Sequence, residues 1–198
     1  MHRQTTTGWL LGLAAVLLST LLIVPVAFAG ADHVRWDIIS FNFSTTTASP
    51  GGVAFAKADA VRQIKLTGFG TFVAPASGGT SGAVTGGGTW ETFEGNVSTG
   101  SGTYQVTKLA SWEFANFQLP GGIDLIGDPN ERANGHAILR IDYSDGSQGI
   151  LGIGCHGPGA PAGIQEGVIA TKDFVTYWSA QAPLPNVDTN RTIFHVRQ

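Results

Sequence analysis

Charge, cysteine and regular apolar stripes are all scarce in this chain, and each scarcity closes off a class of protein. Charged residues are 13% of the 198 positions, too few for the basic face that nucleic acid requires, and the acidic ones are scattered. Cys155 is the one cysteine, so no intramolecular disulfide can form and stability rests on packing and sheet hydrogen bonds. After residue 30 no window carries a period-3.6 apolar stripe, and none approaches the roughly 20 apolar residues of a membrane-crossing helix. No P-loop is present, and no G-x-G-x-x-G leads into a helix, which argues against a bound nucleotide. G-x-S-x-G, H-E-x-x-H and, after residue 29, S-x-x-K are also missing, and each absence lowers the weight of an enzyme reading.

What is present begins with an export signal. Arg3 supplies a positive start, Trp9 to Ile23 is an uncharged apolar run, and Pro25-Val26-Ala27-Phe28-Ala29 places small residues at the −3 and −1 positions. Residues 1–29 therefore read as a signal-peptide helix cleaved after Ala29, predicting a secreted or periplasmic protein. The alternative is a single uncleaved N-terminal membrane anchor, against which Pro25 argues by breaking the helix. Residues 30–198 then form one Gly-rich domain, with ten Lys and Arg against fourteen Asp and Glu, a formal charge of −4. Three sequons, at Asn42, Asn96 and Asn190, are glycosylation acceptors in a eukaryotic secretory pathway.

Short β-branched or alternating runs, punctuated by Gly, Pro, Asn and Asp, predict an all-β domain. Strands are expected over Val34 to Thr46 (with a bulge where the apolar phase changes at Ile38-Ile39), Val53 to Ala58, Gln63 to Val73, Thr103 to Phe114, Ile164 to Ala170 and Arg191 to Val196. Phe174 to Trp178 is read as a strand, with one or two helical turns over Thr171 to Trp178, capped by Thr171, as the alternative. Residues 77–88 and 94–102 read as loops or strand ends, 183–190 as a loop, and 116–135 as the longest irregular connection, a candidate binding surface. The clearest local element is a hairpin of His136 to Tyr143 with Gln148 to His156 about Asp145-Gly146. A two-residue turn there sets Ala137, Leu139, Ile141 and Tyr143 on the buried face beside Gln148, Ile150, Gly152 and Gly154, and puts His136 opposite Cys155.

One phrase, T-G-x-G-T-aromatic, occurs three times: Thr67 to Phe72, Thr85 to Trp90 and Thr99 to Tyr104. Glycine at alternate positions lets a strand bend, or lets an aromatic ring from the neighbouring strand lie over bare backbone. The expected fold is thus an antiparallel barrel or tightly curved sandwich of about eight to ten strands. In texture these phrases, confined to residues 67–104, resemble small secreted barrels of the dirigent and allene oxide cyclase folds. That resemblance offers no catalytic position to carry over and implies no activity.

The candidate chemistry is sparse. A Cys becomes a nucleophile when a base stands beside it, so a cross-strand His136 and Cys155 form one candidate catalytic pair. Against it, a lone strand Cys is ordinarily a small buried apolar residue, and a three-residue turn would separate the two. Asp124, Asp128, Asn130 and Glu131 lie in one loop and offer oxygens for Ca²⁺, although turn chemistry explains them equally well. His33, His136, His156 and His195 have no ligand spacing. Asp142 and Glu166 form only a nominal acid pair. Arg140 and Asp142, with the aromatics Trp112 and Tyr143, are candidate ligand contacts, set against a plain core role for the rings. No cofactor is expected. The leading functional expectation is a non-catalytic exported module that binds a small apolar molecule, a glycan or another protein. The alternatives are a His136/Cys155 enzyme, a structural envelope component, or a small outer-membrane barrel.

Overall fold

The structure is a computed structural model that describes residues 30–76, 79–182 and 189–198. The expected signal peptide lies outside the described residues, as do 77–78 and 183–188 of the two expected loops. Among the described residues the chain is all-β apart from one 3-10 turn, Pro129–Glu131. The strands are β1 (Asp32–Asn42), β2 (Thr47–Pro50), β3 (Ala54–Lys57), β4 (Arg62–Leu66), β5 (Phe69–Ala74), β6 (Val84–Glu94) and β7 (Val97–Phe117). They continue as β8 (Ile123–Asp124), β9 (Arg132–Tyr143), β10 (Gln148–Cys155), β11 (Gly167–Lys172), β12 (Val175–Tyr177), β13 (Ser179–Ala180) and β14 (Arg191–Arg197).

Six strands, in the order β1-β5-β6-β7-β9-β14 and back to β1, close an antiparallel barrel. Extra strands branch from it at three forks: along β1 the partner changes from β5, up to Asp37, to β2, from Ile39 onward. Along one edge of β6 the partner changes from β5 to β4; along β9 it changes from β14, at Arg132 and Ala133, to β10, from Gly135 onward. One apolar cluster fills the interior, with Trp36, Phe72, Leu109, Leu139, Leu151 and Phe194 at its centre. A separate small cluster, Ile39, Ala48 and Ile193, lies elsewhere. The short edge strands account for there being more elements than the expected eight to ten.

The glycine phrases do what their pattern predicts. They sit on neighbouring strands, where Thr71 faces Thr85 and Thr89 faces Thr103, while Trp90 faces Gly102. A Cβ on Gly102 would stand 3.0 Å from Trp90 Nε1, and one on Gly100 3.3 Å from the same ring. The indole therefore lies over bare backbone, and its N–H donates to Thr103 O at 3.1 Å. Outward, hydroxyls pair across the strands, Thr67 with Thr89 at 2.7 Å and Thr71 with Thr85 at 2.8 Å. Curvature is reinforced by three register shifts of β7 against β9 and one of β6 against β7.

Three local expectations are corrected and one is narrowed. Gln63 to Val73 is two strands, broken at Thr67-Gly68, where the Tyr104 hydroxyl donates to Thr67 O and leaves no room for a side chain at Gly68. Residues 94–102 take the strand-end reading: a tight β6-β7 turn at Gly95 leaves Glu94 and 97–102 within the two strands. β1 needs no bulge: its registers run without a shift, and the apolar phase changes because Val34, Trp36 and Ile38 face the barrel interior while Ile39 and Phe41 face the second cluster. In the β9-β10 hairpin the loop has three residues, Ser144-Asp145-Gly146, with Gly146 at φ 88° and Tyr143 N donating to Ser147 O at 2.9 Å. The register moves by one residue, so Gly149, Leu151, Ile153 and Cys155 share the buried face and Gly154 stands opposite His136.

Gly70 tests the close-approach argument, since its added Cβ would lie 2.2 Å from Thr85 O and 3.0 Å from Gly86 Cα. Gly70→Ala should lower unfolding free energy by about 2–3 kcal/mol in chemical denaturation. Gly82→Ala, with nothing within 4 Å, should change it by less than about 0.5 kcal/mol.

Candidate functional site

Backbone groups at a fork lose their ladder partners and, when buried, must find others. Where β10 and β14 part along β9, side chains supply them. Asn134, fully buried, donates to Asn116 Oδ1 at 3.0 Å and accepts from Gly157 N at 2.7 Å. Glu166 accepts from His156 N at 2.6 Å and from Thr192 N at 2.8 Å, and the Thr192 hydroxyl donates to Gly154 O at 2.6 Å. Burial pushes the Glu166 carboxyl above its ordinary value, with those N–H donors pulling the other way. Cys155 Sγ lies 3.3 Å from both Thr192 O and Gln118 Nε2. Burial raises its thiol well above the usual range.

Beside this fork opens a cavity of about 450 Å³. Its apolar wall is Ile39, Phe41, Phe43, Ala48 and Ile193, and the segment Gln118 to Gly122 borders it from the long loop. That loop is tied down by order in its backbone: Ile123 N donates to Thr46 O at 2.9 Å and Leu125 N to Ala48 O at 3.0 Å, and β8 runs parallel to β2. Asp124 anchors it further, accepting from Ile126 N and Gly127 N and lying 2.9 Å from His195 Nε2. Burial would raise the Asp124 carboxyl, but these donors together hold it below its ordinary value.

Two arginines face the cavity. Arg132 donates to Gly121 O and to Pro129 O. Arg191 lies with its Cζ 5.4 Å from the Phe41 ring centroid and 5.1 Å from that of Phe43. Its Nε is buried without a hydrogen-bond partner, and the guanidinium makes no ion pair among the described residues. A second cavity, of about 330 Å³, lies on the outer side of β9 and β10 and is lined by Glu113, His136, Ile138 and Ile169 among others.

The candidate residues are dispersed. His136 and Cys155 are not brought together: His136 is on the outer face, accepting from Gln165 N at 3.3 Å, while Cys155 faces inward. Arg140 and Asp142 are exposed on the outer side, the latter accepting from Gln148 Nε2. Trp112 donates to Asp32 Oδ2 and packs edge-on against Phe72 and Phe194. Tyr143 is buried and donates to Thr171 O. The proposed calcium oxygens go to separate partners: Asp124 to His195, Asp128 to Asn130 at the start of the 3-10 turn, and Glu131 to Arg197. No group of three metal-ligating side chains occurs among the described residues.

Two charged residues escaped the sequence reading. Lys172 is buried and donates to Asp145, Ser147 and Asp173, with Nζ 4.2 Å from the Trp90 centroid. Arg191 shares the outward face of β14 with Ile193, an arginine in phase with an apolar side chain, and that alternation was its available signal. Compared with protein-family models, curated proteins and solved structures, the chain finds no match.

Two predictions follow from burial and charge. The native Cys155 thiol should resist an aromatic disulfide reagent at pH 8 and react promptly in denaturant; a fast native reaction would contradict its placement. The Lys172 ammonium, with Ser147, lowers the Asp145 carboxyl from 3.8 to about 2, so this contribution to stability is present above pH 3.8 and fades as pH falls through about 2. Lys172→Met should cost about 2 kcal/mol at neutral pH and flatten that acid limb in thermal melts.

Proposed function

We propose that residues 30–198 form an exported, non-catalytic binding module whose ligand is a small, largely apolar molecule held in the cavity beside Arg191. The observation that carries this reading is the cavity itself. Its size falls within the range of about 300–1,000 Å³ typical of small-ligand sites. It joins an apolar wall of five side chains to a few polar groups. The wall belongs to the small Ile39, Ala48 and Ile193 cluster, separate from the main interior, so occupancy does not require the barrel to open. The long loop, the surface expected from sequence to carry binding, borders it.

Export is supported by the sequence of residues 1–29. A water-facing wall agrees with the outward threonine pairs and with Lys65 bound to Glu91 at 2.6 Å on β4 and β6, which a lipid-facing band would not favour. The thiol-enzyme alternative loses the base it was read with, because His136 stands opposite Gly154 on the outer face while Cys155 faces inward.

Binding should be visible as fluorescence enhancement of the neutral probe N-phenyl-1-naphthylamine. Ala48→Leu, which fills the cavity, should weaken it about tenfold or more, with the fold checked by circular dichroism. A probe that gives no enhancement with the wild-type protein, or binds the filled variant equally well, removes this reading.

A further inference from the structure

Two cations in this domain rest against pairs of aromatic rings, and only one has its hydrogen-bonding capacity filled. Lys172 stacks on Trp90 and Tyr143 at 4.2 and 4.8 Å and uses its donors on Asp145, Ser147 and Asp173. Arg191 stacks on Phe41 and Phe43, yet none of its N–H groups finds an acceptor among the described residues, and Nε is sealed from water. Guanidinium stays charged at every working pH and presents a planar fork of donors suited to a carboxylate. The phenyl faces attract the charge but offer no lone pairs along that fork. The site thus supplies donors, an aromatic backing and an apolar wall, and no described residue supplies the acceptor.

The surrounding charges agree. Arg132 lines the same cavity, and the one carboxylate that does so among the described residues, Glu166, has one oxygen engaged by His156 N and the other by Thr192 N. Arg132 is opposed by the buried Asp124 at 3.8 Å, so Arg191 is the lining arginine that has no ion pair among the described residues. The bordering loop also exposes Leu119, Ile123 and Leu125 at 60%, 54% and 63%, an apolar approach beside a cationic site.

We propose that the ligand is an amphiphile with a single carboxylate headgroup: Arg191 binds the headgroup bidentately, and the chain lies against Ile39, Phe41, Ala48 and Ile193. This rests on the cavity being a ligand site, and the headgroup assignment is separable from that reading. Recognition is by charge and shape, with no bond made or broken.

Isothermal titration of the purified protein with octanoate, octanol, octyltrimethylammonium and inorganic phosphate tests it. Octanoate should bind at least about tenfold tighter than octanol or the ammonium, and phosphate alone should not register. Arg191→Met should bring octanoate to the level of octanol while leaving octanol unchanged, and Arg191→Lys, which keeps the charge without the fork, should fall between. A purely structural Arg191 would weaken both ligands together or neither. Equal binding of octanoate and octanol, or preference for the ammonium, overturns the headgroup and leaves the cavity reading standing. Phosphate binding as tightly as octanoate overturns the amphiphile. Absence of binding by every eight-carbon probe removes both. Should Arg191→Met fail to fold, the wild-type ranking still decides.

Discussion

A sheet that changes partners partway along a strand strands the peptide groups at the point of division, and the rest of this domain is arranged around answering that need. β9 is the strand concerned: its first two residues pair with β14 and close the barrel, while the remainder pairs with β10 and leads away from it. Asn134, Thr192, Glu166 and Gln118 gather at the division because buried N–H and C=O groups cannot be left alone. Their presence holds the two branches apart by a fixed amount. The cavity beside the division is the space those branches cannot both occupy.

The two ends of the polar system differ in kind. Around Lys172, three acceptors and two rings satisfy one ammonium, and the cluster reads as a structural clasp joining the β9-β10 turn to the end of β11. Around Arg191 the rings are present, and among the described residues no acceptor is. Because both cations belong to one chain under one set of packing constraints, the contrast between them says more than either arrangement alone.

Much of the fold was legible because it depends on spacing. Alternate glycines facing aromatic residues can serve few arrangements other than rings laid across bare backbone, and Trp90 over Gly100 and Gly102 is that arrangement. The strand at Val175–Tyr177 and the two faces of Arg191–Arg197 follow from simple alternation. What could not be read was whatever turned on a count of one. Asp145-Gly146 suits a two-residue turn and equally the last two places of a three-residue turn; the second occurs, and every β10 side chain changes face. The site was hidden for a different reason. Its residues come from β1, β2, β9, β10, β14 and three loops, brought together by forks that no local pattern announces, so Arg191 looked like the ordinary charged start of a strand.

The isolation of the Ile39, Ala48 and Ile193 cluster from the main interior has an evolutionary consequence. Side chains on that outer wall can be exchanged without repacking the centre of the barrel, and the hydrogen bonds that hold the fork come mainly from other residues. Selectivity and foldability are thereby placed under largely independent mutational control, so the same scaffold can drift toward new ligands while its architecture stays fixed.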